Sequence, residues 1–317
     1  MAFFKSLMPQ KNEIPQDIMN SIQSINKDHI NSSLYLLNKA IDIVISYAET
    51  YPFTAKKNEN ILLDYSTLLK LIVQSQPQMA SILSFSNHLL YFIDSSKSEL
   101  DLKMIKQYCN LKKETIRNNT IKIASYFPSI VKKGQKIYTY SSSSIVTQSL
   151  ITLNEKDIDF LVFCSESRPQ NEGINLAETL QKQSIHTTLV TDAYLISHCS
   201  DADIIIIGAD SIYKNSIINK VGTFPLIHMA KLQSVPTYVL CTRDKIIPKH
   251  YQLPQEQTKP KEEMSEKQLN NIAVINTYFD TTPLRLFSGI ITEWGIQTPD
   301  VFNSSMHQHS IHQLLQP

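Results

Sequence analysis

Three polar clusters hold the side chains of this 317-residue chain that could do chemistry, and each follows a short apolar run. They are Tyr140-Ser141-Ser142-Ser143-Ser144, Glu166-Ser167-Arg168-Pro169 and Gly208-Ala209-Asp210, the last followed by Asn219-Lys220 ahead of Gly222-Thr223. Hydroxyls at a helix start, with the free N–H groups of its first turn, can cradle a phosphate without a glycine-rich Walker loop, which is absent here. A guanidinium suits bidentate phosphate recognition, and Arg168 is one of only four arginines, with Arg117, Arg243 and Arg285. Taken singly, each cluster has a plainer reading. The serines are then an N-cap, Glu166 and Arg168 a surface ion pair of little energetic weight, Asp210 a turn cap and Lys220 a solvated charge. Three successive strand ends carrying hydroxyl, guanidinium and carboxylate groups at one edge point instead to a small phosphorylated ligand. The expected binding set is Ser141, Ser142, Ser143, Arg168, Asp210, Asn219 and Lys220.

These clusters need a scaffold that brings strand ends together. Ile204–Ile207 is four isoleucines in a row, the composition of a central parallel strand covered on both faces. Similar runs at Lys136–Tyr140, Asp159–Cys164, Thr187–Thr191, Thr237–Cys241 and Ile272–Ile275 alternate with helical patterns, which predicts right-handed βαβ units and a Rossmann-like parallel sheet over 131–317. In such sheets ligands sit outside the carboxyl ends of the strands. Upstream, over 1–130, the periodicity is helical: Leu34, Leu37, Ile41, Val44 and Ala48 form one apolar stripe, Pro52 ends it, Ile61 to Val73 repeats it, and Pro77 and Leu100 open two more helices. The fold class expected is α/β, a helical amino-terminal domain followed by the sheet domain. The segment from His250 to Asn270 has no apolar periodicity and reads as an exposed excursion.

Composition narrows the partners. With 30 Lys+Arg against 29 Asp+Glu the net charge is +1, so no overall field draws the chain to nucleic acid or an acidic membrane. Cys109, Cys164, Cys199 and Cys241 form no C-x-x-C pair, as expected of buried thiols in a reducing compartment. No signal peptide or spanning segment is evident, and a cytoplasmic location is expected. His307-x-His309-x-x-His312 has spacing a metal could use, but no carboxylate or cysteine joins it, and no metal site or cofactor is expected. Cys164 reads as core rather than nucleophile. Phe279-Asp280 and Thr292-Glu293 read as turn-satisfying pairs.

Together, ESRPQNEG at 166–173, GADSIYKNSIINKVGT at 208–223 and YFDTTPLRLFSGIITEWGI at 278–296 resemble one family. It holds the alpha, beta and delta regulatory subunits of initiation factor 2B, their archaeal homologues, ribose-1,5-bisphosphate isomerase and methylthioribose-1-phosphate isomerase. The isomerases carry a catalytic cysteine in a Thr-His-Cys motif and an aspartate in Gly-Ala-Asp. This chain keeps Asp210 but reads Thr139-Tyr140-Ser141, so the cysteine position is serine. A phosphate-binding Arg-Pro-x-Met-Ala pattern becomes Gln76-Pro77-Gln78-Met79-Ala80, and the turn between Ile212 and Asn219 is a residue short and lacks its glycine. A serine hydroxyl with no neighbouring base is a poor mover of protons. The resemblance therefore implies the non-catalytic branch: a protein that binds a sugar phosphate or nucleotide, forms a homodimer through its carboxyl-terminal domain and acts through protein partners, those of the translation machinery among them. The dimer expectation draws also on Phe287, Ile290, Ile291 and Trp294, too many apolar residues to face one core at helical spacing. A divergent sugar-phosphate isomerase using Asp210, and a ligand-free scaffold, are the alternatives.

Overall fold

The computed structural model describes residues 14–53, 58–96, 100–265, 267, 271–306 and 310–316. His307 and His309 lie outside these. Five helices come first: α1 (Gln16–Asn26), α2 (Ser33–Thr50), α3 (Asn58–Ser75), α4 (Ala80–Ser95) and α5 (Leu102–Tyr126). Ser32 starts α2 by accepting from Tyr35 N at 3.3 Å, and Asp101 starts α5 by accepting from Met104 N at 2.7 Å, each filling one of the orphan donors of a first turn. The stripe Leu36, Leu37, Ala40, Ile41 and Val44 is buried against Leu68, Ile72, Leu89 and Ile105. Ile247, Tyr251, Ile311 and Leu315 join this core from the other end of the chain, tying it to the sheet region.

Five strands, β1 (Gln135–Tyr140), β2 (Phe160–Ser165), β3 (Thr187–Val190), β4 (Ile204–Ile207) and β7 (Thr237–Leu240), alternate with α6 (Ser144–Glu155), α7 (Glu172–Lys182), α8 (Asp192–Ser197) and α9 (Thr223–Leu232). Two further strands, β9 (Gly289–Thr292) and β10 (Gly295–Gln297), complete a sheet in the order β10-β9-β7-β4-β1-β2-β3. All neighbours pair in parallel except β10 with β9. Apolar clusters cover both faces, Ile205 and Ile207 in one and Ile204 and Ile206 in the other, which is why the isoleucines run unbroken rather than alternating with polar residues. The chain passes outward from β1 through β2 to β3 and then returns to place β4 on the other side of β1. That reversal opens a crevice at the carboxyl ends of β1 and β4.

The structure departs from the sequence expectation in three places. Residues 272–277 are not a strand; Ile272 and Ile275 are exposed, because an apolar run without a pairing edge has nowhere to place its backbone donors and acceptors. The turn expected between Ile212 and Asn219 is a hairpin of β5 (Ser211–Tyr213) and β6 (Ser216–Lys220), to which β8 (Phe279–Pro283) adds as the third antiparallel strand. The last apolar stretch is strand, not helix: Ile290 and Ile291 fall on opposite faces of the sheet and are both buried, as adjacent strand residues must be when both faces are covered. Phe287 is core as well, while Trp294 is 57% exposed. The short α10 (Pro299–Ser305) follows.

Candidate functional site

The serine run, the Asp210 loop and the strand carrying Asn219 and Lys220 all meet at the switch point. Ser141 leaves β1 with a left-handed φ of 65°, its N–H donating to Ser167 Oγ at 2.9 Å. Ser143 is the N-cap of α6 yet makes no side-chain cap bond. The amino end of a twelve-residue helix, with its N–H groups and partial positive charge, thus opens beside Ser142 and Ser143. Gly208 is required where the loops after β4 and β1 touch: a Cβ there would stand 2.6 Å from Ser143 Oγ.

A cleft of about 570 Å³, its mouth included, runs from this helix end. It is lined by Ser32, Ser33, Ser141–Ser144, Gly208, Asp210, Asn219, Thr242 and Lys245, with Ile116 and Thr120 of α5 opposite. A second lobe of about 460 Å³ shares Ser32, Ser33, Ser141, Ser142 and Asp210 with the first and adds Asp28, His29, Gln76, Glu172, Lys220 and Tyr278. The α1–α2 connection therefore forms a wall of the site; Ser32 Oγ lies 2.8 Å from Ser144 Oγ.

Asp210 lies within the electrostatic reach of two ammonium groups, those of Lys245 and Lys220. Burial pushes its carboxyl up from the ordinary range, while Lys245, Lys220 and a hydrogen bond from Ser33 pull the other way. Lys245 is itself buried, donating to Ser33 Oγ at 3.0 Å and to the Ala209 carbonyl. Asn219 and Lys220 are buried on β6: Asn219 Nδ2 donates to Thr223 Oγ1 at 3.1 Å, and that hydroxyl donates to Lys220 O at 2.6 Å.

The group that sequence reasoning passed over is Glu172. It opens α7 and is buried. Its Oε1 accepts from Ser141 Oγ at 2.7 Å and lies 2.9 Å from Lys220 Nζ, while among the described residues Oε2 has no hydrogen-bond partner. Burial raises its pKa; Lys220 and Ser141 oppose that shift. The expectation that Ser141 lacks a neighbouring base is corrected here: a carboxylate is within hydrogen-bond reach. Sequence offered one signal, an acid in the first turn of a helix at a strand end, but such acids are ordinarily exposed.

Arg168 is not among the residues lining either lobe. It is exposed, and its guanidinium donates to the carbonyls of Glu263 (3.3 Å) and Met264 (2.9 Å), its N–H to Asp192 at 2.8 Å. It clasps part of the polar excursion expected at 250–270. Gln76 spends its amide on Ile25 O (2.8 Å) and Asp28 O (3.1 Å), holding the α1–α2 connection. Asp280 accepts from Gly222 N (2.8 Å) and Phe224 N (3.0 Å), and Glu293 accepts from Arg243 N, so both satisfy backbone turns. His312 is buried, its N–H donating to Asn87 Oδ1 at 2.7 Å and its Nδ1 accepting from Leu314 N. Among the described residues no cluster of His, Cys, Asp or Glu could hold a metal, and no helix is long and apolar enough to cross a membrane. The four cysteines are free and buried; burial lifts Cys164 to about 12, far from a thiolate.

Residues 54–299 match the Initiation factor 2 subunit family. A translation initiation factor eIF-2B subunit 2-like protein of Pyrococcus furiosus is 30% identical over 290 residues, 90% of this chain and 98% of that protein. A ribose 1,5-bisphosphate isomerase of Methanocaldococcus jannaschii is 27% identical over 235 residues, 72% of this chain and 75% of the isomerase. Among solved structures, the translation initiation factor eIF-2B of Pyrococcus horikoshii superposes with a TM-score of 0.78 at 25% identity, covering 91% of this chain and 99% of that one. The chain belongs to the Initiation factor 2 subunit family.

Proposed function

We propose that this member of the initiation factor 2 subunit family is a regulatory protein that binds a phosphorylated sugar or nucleotide in the switch-point cleft and acts through protein partners as a cytoplasmic homodimer. The observation that carries the reading is the amino end of α6, uncapped by any side chain and opening beside Ser141–Ser143 into the cleft. Such an end favours an anion both by its N–H groups and by its dipole. The phosphate takes these amides and the Ser142 and Ser143 hydroxyls, while Asp210 accepts from a sugar hydroxyl and Asn219 lines the same wall. Lys220 is held by Glu172 and Arg168 by backbone carbonyls, so both act at a distance from the phosphate rather than on its oxygens. Relatives named as initiation factor subunits support a role exercised through other proteins. Native mass spectrometry of the purified protein, followed by calorimetry against pentose phosphates and nucleoside monophosphates, tests the reading; silence across the panel favours a ligand-free scaffold.

One observation favours a second reading, a divergent sugar-phosphate isomerase. Ser141 Oγ stands 2.7 Å from the Glu172 carboxylate, and both residues border a lobe shared with Asp210, so two carboxylates could move protons between neighbouring sugar carbons. Its test is turnover by the wild-type protein.

A further inference from the structure

The polar excursion after β7 reaches the wall of the second lobe with almost no apolar support. None of residues 254–264 is buried, none enters the three apolar clusters, and the regular structure there is one turn at Lys261–Glu263. Polar contacts hold the segment instead. Glu256 accepts from the N–H groups of Tyr278 (2.8 Å) and Phe279 (3.3 Å), and Glu263 accepts from the Tyr278 hydroxyl at 2.5 Å and from Asn276 Nδ2 at 2.8 Å. Arg168 grips the carbonyls of Glu263 and Met264 from the end of β2, and Gln78 Nε2 donates to Pro254 O at 2.6 Å. A segment fixed by polar contacts with so little burial opens at low cost while the rest of the fold stays closed.

Tyr278 itself belongs to the site. It is 4% exposed and, with Phe279, borders the second lobe. Its carbonyl accepts from Val221 N at 2.7 Å, directly after Lys220, and its ring stands 5.2 Å from Lys220 Nζ and 5.1 Å from the His29 ring. Lys259 of the excursion lies 4.8 Å from the same ring. Losing Glu263 would leave the buried phenol O–H without its acceptor, at a desolvation cost that turning the ring toward water relieves. The wall and the excursion therefore move together.

We propose that residues 254–264 are a strap whose latching on Tyr278 is linked to occupancy of the cleft: a ligand packed against the Tyr278 ring holds the strap closed, and a released strap frees the ring and weakens the ligand's hold. This rests on the reading above, that the cleft binds a phosphorylated ligand. Such linkage is reciprocal, so two measurements on the full chain test it, with ribose 5-phosphate and adenosine monophosphate as probes. The first is the rate of tryptic cleavage after Lys261 under native conditions, read against cleavage after Lys133, which is exposed ahead of β1. A saturating probe is expected to slow the Lys261 cut at least about fivefold relative to the reference cut. Glu263→Ala is expected to speed it several-fold, whereas Glu262→Ala, at the exposed neighbour, leaves it unchanged. The second measurement is calorimetry. Glu263 lines neither lobe, so truncating it removes no ligand contact, yet Glu263→Ala is expected to bind at least about fivefold more weakly whichever probe the wild type binds. Unchanged affinity in a folded Glu263→Ala protein, or a Lys261 cut indifferent to a probe that calorimetry shows to bind, overturns the linkage and leaves the ligand site standing. A Lys261 cut as slow in Glu263→Ala as in the wild type removes the latch itself. Binding of neither probe overturns the linkage and the reading beneath it together. If Glu263→Ala does not fold, the wild-type cut alone decides, protection by a bound probe supporting the linkage and its absence overturning it.

Discussion

Lys220 Nζ stands 2.9 Å from Glu172 Oε1 with both side chains buried, joining the hairpin strand β6 to the amino end of α7 across the cleft. Removing one member of a buried pair leaves an uncompensated charge in a poorly solvated place, at a cost of about 3–5 kcal/mol. Lys220→Met is therefore expected to lower the urea midpoint sharply, and Glu172→Gln added to it to recover part of the loss. A Lys220→Met protein unfolding at the wild-type midpoint would show that the pair carries no such weight.

Asp210 gives a pH prediction whose sign follows from its raised pKa. A carboxyl that titrates higher in the folded state holds more protons there than in the unfolded chain, so stability falls as pH rises through the ordinary carboxylate range up to the folded value. Asp210→Asn removes this loss. The variant should melt above wild type at pH 7 and converge with it in acid, while binding the proposed phosphorylated ligand more weakly. Calorimetric melts of both proteins from pH 4 to pH 8 would expose the error if the wild type is the more stable at neutrality.

How far the sequence could be read depended on what each residue's signal was local to. The strands Phe160–Ser165 and Ile204–Ile207 were legible because unbroken apolar runs between turn residues have few other uses. The β5–β6 hairpin was not, since its two-residue loop is Lys214-Asn215, both at positive φ (46° and 64°), where the recognisable pairs are Asn-Gly and Asp-Gly. Asn219 and Lys220 are legible as a polar pair ahead of a helix start, but their place on a paired strand follows only from the β5 and β8 partners that the fold brings to them. Glu172 lies 48 positions from its ion-pair partner, so only the folded chain brings the two together. Lys245, in the turn after β7, stands in a run of three charges, Arg243-Asp244-Lys245, and nothing local to that run marks the one that is buried against the Ala209 carbonyl. Arg168 illustrates the opposite error of weight: a scarce arginine after a strand drew attention as a phosphate ligand, yet its guanidinium is turned to the carbonyls of residues 263 and 264.

Gly222 should resist substitution for two separable reasons. Its φ of 104° is one that side chains rarely adopt, and a Cβ would stand 2.2 Å from the Tyr140 hydroxyl, which donates to Val221 O at 2.7 Å. The backbone conformation alone is worth about 1–3 kcal/mol, and the clash must also move Tyr140 from the end of β1. Gly222→Ala is expected to be destabilised beyond the backbone figure, with Tyr140→Phe/Gly222→Ala partly relieved. A Gly222→Ala protein within about 0.5 kcal/mol of wild type, the range of an ordinary surface change, would contradict this.

The proposed homodimer would draw on one exposed aromatic rather than on the apolar stretch as a whole. Phe287, Ile290 and Ile291 are spent on the core, whereas Trp294 is 57% exposed and stacks on the Arg243 guanidinium at 3.7 Å, with Ile296 of β10 40% exposed nearby. Light scattering should return twice the 36.2 kDa chain mass, and Trp294→Glu should shift it toward one. A monomer at every concentration would remove the dimer from the proposal.

The wild-type protein is expected not to isomerise ribose 1,5-bisphosphate or methylthioribose 1-phosphate at an enzymatic rate. At the position where the isomerases carry cysteine, Ser141 has no ionisation near neutral pH, while a cysteine thiolate is reached with a modest shift. Its hydroxyl donates to Glu172 Oε1, an oxygen already paired with Lys220, so the carboxylate oxygen that reaches Ser141 is already occupied. Gln76, at the position of a phosphate-binding arginine, has turned its amide to the α1–α2 connection. Ser141→Cys alone should restore little, since it changes neither of these. Loss of a positioned acid–base group commonly costs about 10²–10⁴ in rate, which would place turnover well below about 1 s⁻¹. A proton NMR time course showing wild-type turnover above that figure, lost in Asp210→Asn and in Glu172→Gln, would make the two carboxylates the working pair and the protein an isomerase.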